Sequence, residues 1–82
     1  MIKYNFEEVK KLEKRQISIS TEYITLGQLL KMTDIIQTGG MAKRFLIENQ
    51  VFVNGESETR RGRKLYVGDR VVIDGFGEFI IA

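Results

Sequence analysis

Val51-Phe-Val-Asn-Gly-Glu56 limits the fold more than any other stretch of this chain. A run with two β-branched residues ends on Asn54-Gly55. That pair suits a two-residue type I′ turn, in which both central residues need a positive φ. The segment therefore predicts a β-hairpin. Leu65 to Val67 begins another extended segment, and Gly68-Asp69 turns the chain. Arg70-Val-Val-Ile-Asp74 and Glu78-Phe-Ile-Ile-Ala82 read as two more strands, joined through Gly75-Phe-Gly77. The chain has no proline to contradict any of these strands.

The residues before the hairpin read differently. Ile17-Ser-Ile-Ser20 alternates with period two and predicts a strand. Thr25-Leu-Gly-Gln28 has the form of a capping box. Leu26, Leu29, Leu30 and Thr33 then share one face, which predicts a helix from about 26 to 33. Gly27 lowers the stability of that helix, so it points to close packing. Thr38 is placed to cap a second helix, with Gly39 and Gly40 in its first turn. Ala42, Phe45, Leu46 and Asn49 share a face of it, and Asn49 stops it through the left-handed conformation. Phe45, Phe76 and Phe79 read as core. The order is α+β: two short helices packed on a small, mainly antiparallel sheet.

Eighty-two residues allow one domain with one small core, placed here at 16–82. Residues 1–15 form an N-terminal arm. Phe6, Val9 and Leu12 fall three apart, so the arm is either a short helix ringed by Lys10, Lys11, Lys14 and Arg15 or a solvated segment.

Composition removes several function classes. The chain contains neither cysteine nor histidine. Disulfides, thiolate metal sites and cysteine nucleophiles are excluded, as is the commonest general acid–base residue. No motif for carboxylate chemistry stands out, so a non-enzymatic protein without cofactor or metal is expected. Glu56 and Glu58 are better placed to orient arginines than to bind a metal. No apolar run suffices to span a bilayer. Glu7, Glu8 and a cluster of lysines interrupt any signal-peptide pattern, so a cytoplasmic location and no membrane partner are expected.

The net charge is only +2, but its distribution is uneven. Between Lys43 and Arg70 seven cations face four anions, and four of the cations fall within Arg60-Arg61-Gly62-Arg63-Lys64. That run follows a rigid hairpin and has a flexible centre, which suits a loop tracking a phosphate backbone. Its density suggests that the four cations are not there for folding, and that replacing them would leave stability nearly unchanged. Thr38-Gly39-Gly40 ahead of a helix has two readings. One is an anion site made of exposed amides. The other is a tight turn between helices that needs positive φ. Lys43 and Arg44 lie near the positive end of the helix dipole, where cations are disfavoured unless an anion binds. Tyr66 either stacks on a base or packs half-buried beside Leu65 and Val67. Arg70 faces solvent on its strand. The candidate binding residues are Thr38, Gly39, Gly40, Lys43, Arg44, Arg60, Arg61, Arg63 and Lys64. A rival reading is a protein-interaction module that docks a partner on the sheet near Phe76 and Phe79.

The stretch from Ile24 to Asp74 resembles the RNA-binding domain named for small-subunit ribosomal protein S-four, the αL-motif domain. The resemblance runs through Leu26, Leu29 and Leu30, then Ala42, Leu46 and Ile47, then Val51-Phe-Val-Asn-Gly55 and Gly68-Asp69-Arg-Val71. Thr-Gly-Gly-Met-Ala-Lys43 and Glu-Thr-Arg-Arg-Gly-Arg-Lys-Leu65 look closer to the small stand-alone YaaA-type members of bacteria. The resemblance implies a helix pair and adjoining loop that grip structured RNA, with ribosomal RNA as the expected partner and ribosome assembly or translation as the setting. The family's usual pattern starts the second helix with Ser-Arg, whose arginine meets phosphate. Thr38 and Gly39 stand there instead, which shifts the cationic role to Lys43, Arg44 and the 60–64 loop.

Overall fold

The computed structural model describes residues 14–82. Strand β1 (Lys14–Ile17) and the short β2 (Ile24–Thr25) lead into helix α1 (Leu26–Met32). A 3₁₀ turn (Gly39–Met41) then opens helix α2 (Ala42–Glu48). Five strands complete the chain: β3 (Val51–Val53), β4 (Glu56–Ser57), β5 (Lys64–Leu65), β6 (Arg70–Ile73) and β7 (Gly77–Ile81). The main sheet has the order β1-β7-β6-β3-β4, while β2 and β5 form a separate ribbon. Among the described residues only the β1–β7 pair is parallel. The fold is the expected α+β arrangement of two short helices on a mainly antiparallel sheet. Among the described residues, no helix is long and apolar enough to cross a membrane.

Alternation along the strands decides which side carries the core. Val53, Val71 and Phe79 pair across β3, β6 and β7, and all three are buried. Val51 and Ile73 form a second buried pair. Leu26, Leu29, Leu30, Ile36, Ala42 and Leu46 from the helical half complete the same cluster. On the other face of the sheet Arg70 pairs with Glu78 at 2.8 Å, so it does more than face solvent.

Asn54 and Gly55 have φ of 51° and 87°, as a type I′ turn demands. The turn is bonded to the other recognisable motif. Asn54 Nδ2 donates to Asp69 Oδ1 at 3.0 Å, and the Arg70 amide donates to Asn54 Oδ1 at 3.0 Å. Asn-Gly and Gly-Asp, distant in sequence, are one hydrogen-bonded unit.

Several expectations need correction. The first strand is Lys14–Ile17, not 17–20, because its parallel ladder sets Ile17 against Ile81. Lys14 and Arg15, expected in the arm, therefore belong to the sheet, and the guanidinium of Arg15 lies 5.5 Å from the Phe79 ring centre. The expected helix around Phe6, Val9 and Leu12 lies outside the described residues. Thr38 makes no side-chain cap bond. The glycine pair winds as a 3₁₀ turn, so α2 begins only at Ala42, and the Met41 amide bonds the Thr38 backbone oxygen instead. Asn49 ends α2 in an extended conformation (φ −128°), not a left-handed one. Its backbone N–H and its Nδ2 both donate to the Phe45 carbonyl. Phe79 is core, but Phe76 is 47% exposed, because the turn through Gly75 carries it past the end of the ladder. There it meets the half-buried Phe45 edge-on, with ring centres 5.7 Å apart.

Candidate nucleic-acid interface

The capping box at the start of α1 forms as its sequence requires. The Gln28 amide donates to Thr25 Oγ1 at 3.2 Å, and the Thr25 amide donates to Gln28 Oε1 at 2.8 Å. The next two amides go elsewhere. Leu26 N–H donates to the Arg63 carbonyl and Gly27 N–H to the Arg61 carbonyl, each at 2.9 Å. The basic loop is thus docked on the first turn of α1. Gly27 makes this possible: a Cβ there would stand 3.3 Å from the Arg61 oxygen and 3.6 Å from the Ala42 Cβ. The close packing that its place in the helix implied is with the loop and with α2.

The inside of the loop is held by Glu58, which is only 7% exposed. Its carboxylate accepts from Arg60 Nε at 2.9 Å, Arg60 Nη2 at 3.1 Å, the Arg60 amide at 3.1 Å and Arg63 Nη1 at 2.9 Å. The hydrogen bonds from the Arg60 side chain do most to lower its pKa, to about 2, and they outweigh the burial that pushes it up. The Arg60 amide and Arg63 add to the lowering. Glu58 does orient arginines, as expected. It also corrects the expectation that the four cations have no part in folding, since Arg60 and Arg63 satisfy a buried carboxylate.

The loop is a ridge between two clefts, and Gly62 borders both. The first cleft is bordered by Gly27, Gly39 and Gly62, with Lys31, Arg61 and Gln28 around them. The second holds Arg60, Arg63, Lys64, Tyr66 and Asp69. The nine candidate residues are therefore divided. Gly39 and Arg61 meet at the first cleft, and Arg60, Arg63 and Lys64 at the second. Gly40 and Arg44 lie on another side of α2, beside Met41, Phe45 and Glu48. Arg44 is 83% exposed and pairs with Glu48 one turn on, which raises its pKa. Thr38 and Lys43 are exposed. Among the described residues no ion pair engages Lys31, Lys43, Arg61 or Lys64.

The glycine pair has a clear conformational answer. Neither Gly39 nor Gly40 has a positive φ, and a Cβ on either would have no neighbour closer than 4.0 Å. The left-handed residue of the connection is Asp34, at φ 61°. The reading of the glycines as a turn that needs positive φ is overturned. Three contributors to this face have no site signal of their own in the motifs: Lys31 and Gln28 at the first cleft, and Tyr23, whose ring lies under the Lys64 ammonium of the second. Lys31 had a usable signal in its spacing, because it lies four residues after Gly27 on the same side of α1. Among the described residues no group of three His, Cys, Asp or Glu side chains is placed to hold a metal.

The S4 domain matches residues 17–81 of this chain. The chain belongs to the S4 domain family. A relative in Bacillus subtilis (strain 168), named probable ribosome maturation protein RlbA, is 68% identical over 63 residues. The alignment covers 77% of this chain and 89% of the relative. No solved structure matches the chain. All nine candidate residues of this S4 domain, the bonded Asn54–Asp69 pair and both clefts fall within the matched span.

Proposed function

We propose that this S4 domain is a non-enzymatic RNA-binding protein of the bacterial cytoplasm that grips structured ribosomal RNA in ribosome assembly or translation. The observation that carries this reading is the docked basic loop. Hydrogen bonds to α1 and from the Arg60 amide to Glu58 fix its backbone, and its cations flank clefts bordered by glycine. A phosphate can approach such a border closely, and prepositioned cations lose little freedom on binding. The name of the Bacillus subtilis relative supports the ribosomal direction. Arg61 and Lys31 meet phosphates across the first cleft, where Gly39 offers its amide. Arg60, Arg63 and Lys64 form the second arm. Gly40, Lys43 and Arg44, with Thr38 before them, extend contact along α2. Arg60 retains 72% of its side-chain surface, so its pairing with Glu58 leaves it open to a second anion.

Phe76, exposed beside Phe45, favours a second reading as a protein-docking module. Titrating ribosomal RNA against salt separates the two. Contact with about four to six phosphates gives a log–log slope of roughly −3 to −5, whereas an apolar interface gives a slope near zero. Replacing Lys31, Arg61 and Lys64 together by Gln should lower RNA affinity at least about tenfold, roughly 1.4 kcal/mol, with little change in melting temperature. Unchanged affinity in a folded triple variant would remove the clefts from the binding surface.

A further inference from the structure

The β2–β5 ribbon pairs Ile24 with Leu65 and Thr25 with Lys64. Ile24 and Leu65 are buried, so strand alternation sends their neighbours outward. One step beyond the paired residues, Tyr23 and Tyr66 come together with ring centres 5.8 Å apart at 47°. Lys64 places its ammonium 4.8 Å from the centre of the Tyr23 ring. Tyr66 remains 44% exposed, and the core closes on the ribbon's other face. Two tyrosines and a lysine thus form an exposed platform whose rings the core does not require.

The platform is fixed in place. The Tyr66 amide donates to Asp69 Oδ2 at 2.8 Å, and the Asp69 amide returns a bond to the Tyr66 carbonyl at 2.9 Å. Gly68, at φ 98°, allows this turn, and its amide donates to the Ile81 carbonyl. Asp69 is in turn tied to Asn54. Tyr66 also borders the cleft of Arg60, Arg63 and Lys64. The cleft is cationic toward the loop and carries the Asp69 carboxylate near Tyr66. A phosphate is attracted to the first side and repelled from the second. An uncharged aromatic ring suits the second.

We infer that Tyr66, buttressed by Tyr23 and rimmed by Lys64, is a stacking site for one unpaired RNA base whose flanking phosphates lie on Arg60 and Arg63. This rests on the reading of the chain as an RNA-binding protein and adds to it the kind of RNA element bound: a bulge or loop nucleotide rather than continuous duplex. Every base has a π-face, so the site selects for an unpaired base and not for its identity.

The test uses three RNA hairpins: one with a single bulged adenosine, one with an abasic bulge and one fully paired. The intact protein should prefer the bulged adenosine over the other two by at least about fivefold, within the range of roughly 5- to 150-fold that one base–aromatic stack supplies. Tyr66→Ala should abolish the preference while keeping the salt slope, because the phosphate contacts remain. Tyr66→Trp should retain it. The chain has no tryptophan, so that variant also carries a single indole whose emission should be quenched by the bulged adenosine but not by the abasic RNA. Equal binding of all three hairpins, a preference surviving in Tyr66→Ala, or an unquenched indole would overturn the stacking site while leaving RNA binding intact. Failure to bind any hairpin or ribosomal RNA would overturn the RNA reading itself, and the stacking site with it.

Discussion

The Arg60–Lys64 loop and the Gly39–Met41 turn both belong to the basic side of the molecule, yet different forces shape them. The loop is held by charge: a buried carboxylate gathers Arg60 and Arg63, and the carbonyls of Arg61 and Arg63 close onto α1. The turn is closed by backbone bonds from Met41 to Thr38 and from Ala42 to Gly39, and its glycines lie outside the left-handed region with open space around them. Cations that look purely functional therefore also contribute to stability. Glycines that look purely structural meet no conformational demand, and under the proposed function their missing side chains leave room for a phosphate to approach.

The largest effect expected from this contrast lies in the loop. Glu58→Ala removes the acceptor of four hydrogen bonds and leaves two guanidinium groups without it. Stability should fall by about 2 kcal/mol, with the partial exposure of Arg60 keeping the loss moderate. Thermal denaturation would show a Tm lower by roughly 8–16 °C in a domain of this size. The same contact is sensitive to acid. Folding lowers the Glu58 pKa from 4.5 to about 2, so the unfolded chain binds the proton more readily. The stabilisation is complete above pH 4.5 and is lost as pH falls through about 2. The stability gap between the wild type and Glu58→Gln should shrink over that window. A constant gap would mean that the pairing does not stabilise the loop.

A smaller loss is expected where the loop meets α1. Gly27→Val places a branched side chain against the Arg61 carbonyl, at a position where even a Cβ has only 3.3 Å. The cost should be about 1–2 kcal/mol. Amide exchange at Leu26 and Gly27 should also quicken, because both amides bond to the loop. Unchanged exchange would show that the loop is held by Glu58 alone.

The glycine turn should show the smallest change in stability. Gly40→Val should leave the melting free energy within about 0.5 kcal/mol, because the site is open and its φ suits any residue. RNA affinity should fall. Gly39→Arg should raise it by returning a cation to the edge of the first cleft. A loss of 1–2 kcal/mol in stability from Gly40→Val would erase the contrast between the two regions.

Much of this could be read from local patterns. Thr25 and Gln28 sit three apart and bond reciprocally, and Asn54-Gly55 takes the two positive φ values that such a pair makes inexpensive. The buried faces of α1 and β6 follow their apolar spacing. Features that depend on distant partners were not legible. A two-residue strand such as β2 or β5 carries no alternation to detect, so the separate ribbon and the Tyr23–Tyr66 contact stayed hidden. The β1 register depends on β7, more than sixty residues away, and this misplaced the first strand. Two hydrophobic isoleucines with a serine between them outweighed the polar residues Lys14, Arg15 and Gln16 that form most of it. For the site, the cationic loop was legible as a cluster, but the division of its charges was not. That division depends on Glu58 turning inward from a stretch that reads as uniformly polar.

The bond between Asn54 and Asp69 has a consequence for substitution. It ties together the two ends of a loop whose sixteen-odd residues include the whole basic run. The β3–β6 register is held by that tie together with the ladder itself. The exposed positions between the two ends can therefore change composition at little cost to the sheet, while Glu58 and Leu65, both buried, stay constrained. Such an arrangement separates what the loop presents from what holds the sheet, so the exposed charges can be altered without altering the fold.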